Sequence, residues 1–329
     1  ILYLRIGWVV GSTGLMPALL IVVIANSITL ATALSVSAIA TNMFVGAGGA
    51  YYIISRSLGL QIGGAIGFPL FLAQTFSVTL YAFGFAESLR ILWPEIPLQP
   101  VAALTVLLVS FISGRGAGLA LKLQIPIMIL VVLSLLSLAG GLTGPVELKT
   151  GFFQGVPGSP SFWYVFAVFF PAVTGIMAGV SLSGDLKNPT RSIPRGALAA
   201  VLTGFIVYLI VPIILAVSAD STSLVKDPLI WMKVSAVPFL ILPGLWGAIL
   251  SSAIGSILGA PRTLEALADD GVLPHIIGKN SRFGGIGMAH IVSSVAALIG
   301  VAMGDLNAVA PVLTMFFLTT YGMVNLVAG

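Results

Sequence analysis

The chain has 329 residues, 58% of them hydrophobic and 7% charged, with a mean hydropathy of +1.13. Soluble domains carry about 25% charged residues, so this composition belongs in a lipid bilayer. The net charge of +4 is small and dispersed, which argues against a nucleic-acid partner, and the absence of cysteine excludes disulfides, thiol catalysis and thiolate metal sites. Two histidines, His275 and His290, are too few and too isolated for a histidine metal cluster.

Apolar run length and charge placement predict ten spans, at about 1–11, 16–42, 63–92, 99–113, 120–142, 162–183, 195–219, 236–260, 286–304 and 308–329. The first is partial. The chain opens "ILYLRIGWVV", already apolar and without a charged leader or cleavage site, so it reads as a helix lacking its beginning rather than a signal peptide. Connections such as "SGRGAG" and "LKNPTRSIPRG" are short and rich in Gly, Pro and Ser, so residues 1–329 read as a single domain. If the first span runs outward, one side holds nine basic residues, Arg56, Arg115, Lys122, Lys187, Arg191, Arg195, Arg262, Lys279 and Arg282. The other side holds four, Arg90, Lys149, Lys226 and Lys233, which places the first group, and the N-terminal side, in the cytoplasm. An offset of about 170 residues relates the first span to the sixth and carries the third onto the eighth, as a five-plus-five inverted repeat requires. An arbitrary polytopic arrangement fits the spacing as well.

The sixth span, "FFPAVTGIMAGVSLSGD", is apolar enough to cross and is built from helix breakers. Pro171 cannot donate to the helix ladder, and Gly175 and Gly179 lower helix propensity further. Two half-helices meeting around Ala172 to Gly175 would present free carbonyls on one side, suited to a cation, and free amides on the other, suited to an anion. Thr174 adds a hydroxyl at the junction. A simple proline kink explains the segment equally well. In the eighth span, Ser251 and Ser252 offer neutral oxygens that suit a small hard cation, although serines also aid close helix packing. Tyr81 and Tyr321 lie inside spans, so each hydroxyl is either packed against backbone or faces a site. Arg5, inside the first span, requires a partner, and Glu87 is the natural one. Asp185 reads as a loop cap or ion-pair member rather than a catalytic acid, and Asp269 and Asp270 are expected to be solvated.

Several segments taken together, "LYLRIGWVVGSTG", "GAGGAYYIISRSLG", "YAFGFAESLR", "FFPAVTGIMAGVSLSGDLKNPTRSIPRG", "SSAIGSILGAPRTLEALADDGVLP" and "NAVAPVLTMFFLTTYGMVN", resemble the cation–chloride cotransporter family, in order and nearly end to end. The resemblance implies an all-α polytopic membrane protein with the leucine-transporter-like five-plus-five inverted repeat and discontinuous helices 1 and 6. It assigns Tyr81, the Pro171 carbonyl and Thr174 to a potassium site. The amides of Gly175, Ile176 and Met177 with the Tyr321 hydroxyl form one chloride site, and Ile1 matches the last residue of a second. Ala248, Ser251 and Ser252 form the eighth-span side of a sodium site, and Arg5 with Glu87 an extracellular gate.

Both serines are similar to the sodium-coupled branches, and Tyr81 to the potassium-carrying members. The implied function is therefore a symporter moving sodium, potassium and chloride by alternating access, in the plasma membrane, with no cofactor beyond the transported ions; a homodimer is compatible. The resemblance also implies that the start of helix 1, helices 11 and 12 and a cytoplasmic domain are missing, so the chain as given is not expected to transport. The alternatives are an amino-acid or amine permease of the same fold and a sodium-independent potassium–chloride symporter. No filter or charged ring points to a channel, and no catalytic constellation to an enzyme.

Overall fold

The computed structural model describes residues 2–42, 46, 48–115, 117–142, 147–182, 186, 188–278 and 287–329, and among these every regular element is a helix. In order they are α1 (Leu2–Thr13), α2 (Leu15–Asn42), α3 (Ala50–Leu58), α4 (Leu60–Leu92), α5 (Leu98–Gly114), α6 (Ala117–Gly140) and α7 (Phe162–Phe169). There follow α8 (Ile176–Ser181), α9 (Pro189–Ser218), α10 (Ser221–Lys226), α11 (Ile230–Val234), α12 (Ile241–Asp269), α13 (Met288–Val301) and α14 (Leu306–Ala328). Seven helical stretches are long and apolar enough to cross a membrane by length and composition, Phe162–Ser181 counting as one, and α5 and α13 are shorter apolar helices. An all-helical solution follows from the solvent, because lipid offers no partners for unpaired backbone groups.

Packing pairs the first three spans with counterparts five spans later: α1 lies against α7, α2 along α9, and α4 along α12. Short helices follow the second and seventh spans, α3 at one end of the bundle and α10 with α11 at the other, in keeping with an inverted repeat. The outer face of α6 is apolar and open, with Ile125 70% and Leu136 62% exposed, as a lipid-facing helix requires. The interior is stitched by polar contacts between helices. Gln74 on α4 donates to Ser181 on α8 (2.9 Å) and accepts from Thr263 on α12 (2.9 Å), all three fully buried. Thr79 on α4 donates to the Ala297 carbonyl on α13 (2.7 Å), and Thr314 on α14 to the Ala167 carbonyl on α7 (2.7 Å). Such bonds contribute about 0.6–2 kcal/mol each where water is absent.

Three boundaries differ from the expected spans. Helix α9 starts at Pro189 rather than 195, because a proline in the first turn has no N–H to leave unsatisfied. Helix α12 runs on to Asp269 rather than 260, since a helix satisfies its own backbone in water as in lipid. Residues 50–58, expected as connection, form α3, and Gly59 at φ +89° turns the chain straight into α4.

Candidate functional site

The sixth span is a true break. Helix α7 ends at Phe169 and Phe170–Val173 tighten into a 3₁₀ turn. Thr174 is extended (φ −83°, ψ −176°), Gly175 is left-handed (φ +113°), and α8 then begins. A Cβ at Gly175 would meet nothing within 4 Å, so glycine is required there by backbone conformation, not by crowding. The three carbonyls before the break are each taken by a hydroxyl. Thr174 donates to Pro171 (2.8 Å), Tyr208 on α9 to Ala172 (2.5 Å), and Thr29 on α2 to Val173 (3.2 Å). Beyond the break, the first bond of α8 runs from the Ala178 amide to the Gly175 carbonyl (3.1 Å), so the amides of Gly175, Ile176 and Met177 precede the helical ladder.

Tyrosine hydroxyls gather around this junction. Tyr321 on α14 is fully buried, with its hydroxyl beside the Gly175 backbone, yet that oxygen makes no hydrogen bond among the described residues. Tyr81 on α4 lies within hydrogen-bonding reach of Ser252 on α12. Ser251 donates to the carboxamide oxygen of Gln124 on α6. The cluster thus joins the elements that carry Pro171, Thr174, Gly175 and Tyr321 to those that carry Tyr81, Ser251 and Ser252. It offers neutral oxygens and amides and no carboxylate among these residues. A cavity of about 480 Å³ borders the other side of the break, lined by Asn26, Thr29, Ala172–Ile176, Tyr208 and the small residues of α9.

Towards the α10–α11 end an ion pair joins α1 to α4. One Arg5 nitrogen lies 3.0 and 2.9 Å from the two Glu87 oxygens, and the Arg5 Nε donates to Asn307 on α14 (3.2 Å). Arg5 is 8% exposed, and a charge so buried is tolerated because it is paired. Helices α10 and α11 seat on the glycine face of α1: Gly11 meets Ser221 and Leu224, Gly7 meets Ile230, and the Tyr3 and Trp231 rings stack at 4.5 Å. Asp220 caps α10, accepting from the Ser223 hydroxyl (2.6 Å) and amide (3.1 Å), which holds its carboxyl below the usual range.

At the opposite end, Asp270 corrects the expectation that it is solvated. It accepts from Tyr51 (2.8 Å) and from Arg56 (2.7 Å), tying α3 to the end of α12. Burial, then the Asp270 carboxylate, push the Tyr51 hydroxyl well above its usual range. Ile1 and Asp185 lie outside the described residues. Tyr208, Thr29, Gln124 and Asn307 were not singled out from the sequence. Tyr208, Thr29 and Gln124 are polar residues in apolar runs, and the rule applied to Tyr81 would have found Tyr208 and Gln124, whereas Asn307 lies at the start of α14 beside its Asp305 cap.

A helical bundle with counterpart packing and a sixth span broken at its centre defines a membrane transporter of the leucine-transporter-like fold. The chain belongs to the amino acid permease family, whose family model matches residues 1–328. It is similar to solute carrier family 12 member 2 of Homo sapiens, 32% identical over 390 aligned residues covering 98% of this chain and 32% of that protein. It is similar as well to member 8 of Mus musculus (35% over 344, covering 99% and 49%) and to member 1 of Mus musculus (31% over 394, covering 98% and 35%). The chain therefore spans between a third and a half of the length of these curated relatives. The family is one of transporters, not enzymes.

Proposed function

We propose that residues 1–329 form one transport domain of a symporter that carries chloride together with sodium and potassium by alternating access. The observation that carries this reading is the buried Tyr321 hydroxyl, which lies near the Gly175 amide at the amide side of the break and has no well-formed hydrogen bond among the described residues. An unmatched buried hydroxyl costs about 1–3 kcal/mol, and an anion held by the Gly175, Ile176 and Met177 amides would relieve it. Across the junction, Pro171, Thr174 and Tyr81 supply the oxygens for potassium, and Ala248, Ser251 and Ser252 those for sodium. Two hydroxyls at 251 and 252 favour the sodium-coupled reading over a sodium-independent potassium–chloride symporter. The similarity to solute carrier family 12 members supports the cation–chloride class. The basic α3 end lies in the cytoplasm, with the N-terminal side, and the Arg5–Glu87 pair closes the outer side of a plasma-membrane protein.

The match to an amino acid permease model favours a second reading, in which the same amides hold a substrate carboxylate. Rubidium uptake in cells expressing the full-length protein, with sodium and chloride replaced one at a time and potassium added as a competitor, separates the two. Loss of uptake on removing sodium or chloride, and inhibition by potassium, is the expected result. Amino-acid uptake indifferent to chloride decides for the permease.

A further inference from the structure

We infer that Gln124 on α6 is a positioning residue for the cation site of α12, setting its sodium affinity by holding the hydroxyl proton of Ser251. This rests on the sodium reading proposed above. Many serines in these helices turn their proton back to the carbonyl one turn earlier, as Ser77 does to Ala73, Ser181 to Met177, Ser218 to Ile214 and Ser293 to Ala289, while Ser137 on α6 donates across to the Val237 carbonyl. Ser251 departs from that habit and donates across to the Gln124 carboxamide oxygen on a different helix. A hydroxyl has one proton and two lone pairs. With the proton directed at α6, both lone pairs are left for a cation, which needs oxygen electrons and is repelled by a proton.

The register that brings Gln124 to Ser251 is fixed by close packing. Along the same seam Gly244 faces Ser134, and a Cβ at Gly247 would lie 3.2 Å from Ile127. One α12 position per turn, 244, 247 and 251, therefore meets 134, 127 and 124 on α6. Pro126 sits inside α6 and has no N–H for the carbonyl of Lys122, so the turn that bears Gln124 lacks one of its own bonds. Gln124 is half-buried. Its amide oxygen is occupied by the Ser251 proton, which leaves the serine hydroxyls as neutral oxygens, the donor chemistry a small monovalent cation prefers to a carboxylate cage.

The test is sodium-dependent rubidium uptake in cells expressing the full-length protein, with cell-surface protein quantified by labelling. Gln124→Met keeps the length and removes the acceptor; it is expected to raise the half-saturating sodium concentration about tenfold and leave the chloride curve in place. Gln124→Glu keeps an acceptor, cannot present an amide donor, and adds negative charge; it is expected to lower half-saturating sodium. A wild-type sodium curve in the Met variant, or an equal shift of its sodium and chloride curves, overturns the assignment. If the Met variant fails to reach the surface, an unchanged or raised sodium requirement in the Glu variant overturns it instead. Wild-type uptake indifferent to sodium defeats the sodium reading itself, not the role of Gln124 beside Ser251.

Discussion

Tyr321 is buried and Tyr208 half-buried against the same broken span, and their hydroxyls are in opposite situations. Tyr208 is matched to the Ala172 carbonyl, whereas Tyr321 faces amides and is matched to nothing among the described residues. Removing a matched hydroxyl strands its carbonyl, and removing an unmatched one takes away a desolvation cost of about 1–3 kcal/mol. Tyr321→Phe is therefore expected to leave the melting temperature unchanged or raised while increasing the half-saturating chloride concentration about tenfold, because hydrogen bonds to a charged partner contribute about 1.5–3 kcal/mol. Thermal melting of the detergent-solubilised protein and chloride-dependent uptake read the two effects separately. A fall in stability with an unchanged chloride curve would make Tyr321 a packing residue only. The sequence showed that Tyr321 and Tyr81 needed partners, but not which ones. Thr29 is 144 residues from the carbonyl it caps, a distance along the chain that no local pattern encodes.

At the scale of elements, the glycines divide the molecule into tight and open contacts. A Cβ at Gly11 on α1 would lie 2.6 Å from the Ser221 carbonyl oxygen and 2.9 Å from the Leu224 Cβ, so α10 approaches as closely as it does because no side chain intervenes. At Gly179 on α8 nothing lies within 4 Å. Gly11→Ala is expected to destabilise by about 1–3 kcal/mol through overpacking. Gly179→Ala should be neutral or stabilising by up to about 1 kcal/mol, through lower entropy of the unfolded chain. Melting temperatures of the two variants test the contrast, and hydrogen exchange over 220–234 should quicken only in the first. The spans themselves were legible because bilayer thickness sets the length of an apolar run. The last turns of α12 and the short helix α3 were not, since hydropathy reports where lipid ends and a helix need not end with it. The proline and glycines of the sixth span marked the break, and only Gly175 in its left-handed conformation distinguished it from a kink.

Across the whole molecule, Arg5 and Glu87 join the first and third spans at the end where α10 and α11 close over α1, and Asn307 adds the tenth. Arg5→Ala leaves a carboxylate buried and unpaired, a change that costs about 3–5 kcal/mol. The reversed pair, Arg5→Glu with Glu87→Arg, is expected to recover much of the stability and uptake that either single change removes. A double-mutant cycle on melting temperature measures the coupling, and additive losses would show that the two charges do not act together. Cysteine is absent from the 329 residues, so a single one introduced on α1 reports access to that end without background labelling.

The anchoring of the two half-helices is unequal, and this has a mechanical meaning. The end of α7 is gripped by hydroxyls from α2 and α9 and, through Ala167, from α14. Side-chain bonds to α8 come from Gln74 through Ser181 at its far end, with Gly175 as the pivot at its near end. A six-residue helix about 9 Å long, pivoted at Gly175 and tied by one side-chain catch from another helix among the described residues, is a lever packed on its apolar face against the core. Releasing the Gln74 catch would let it swing while α7 stays in place. Amides 176–182 should then exchange with solvent faster than those of 162–173, and equal protection of both halves would mean that the break is a rigid joint.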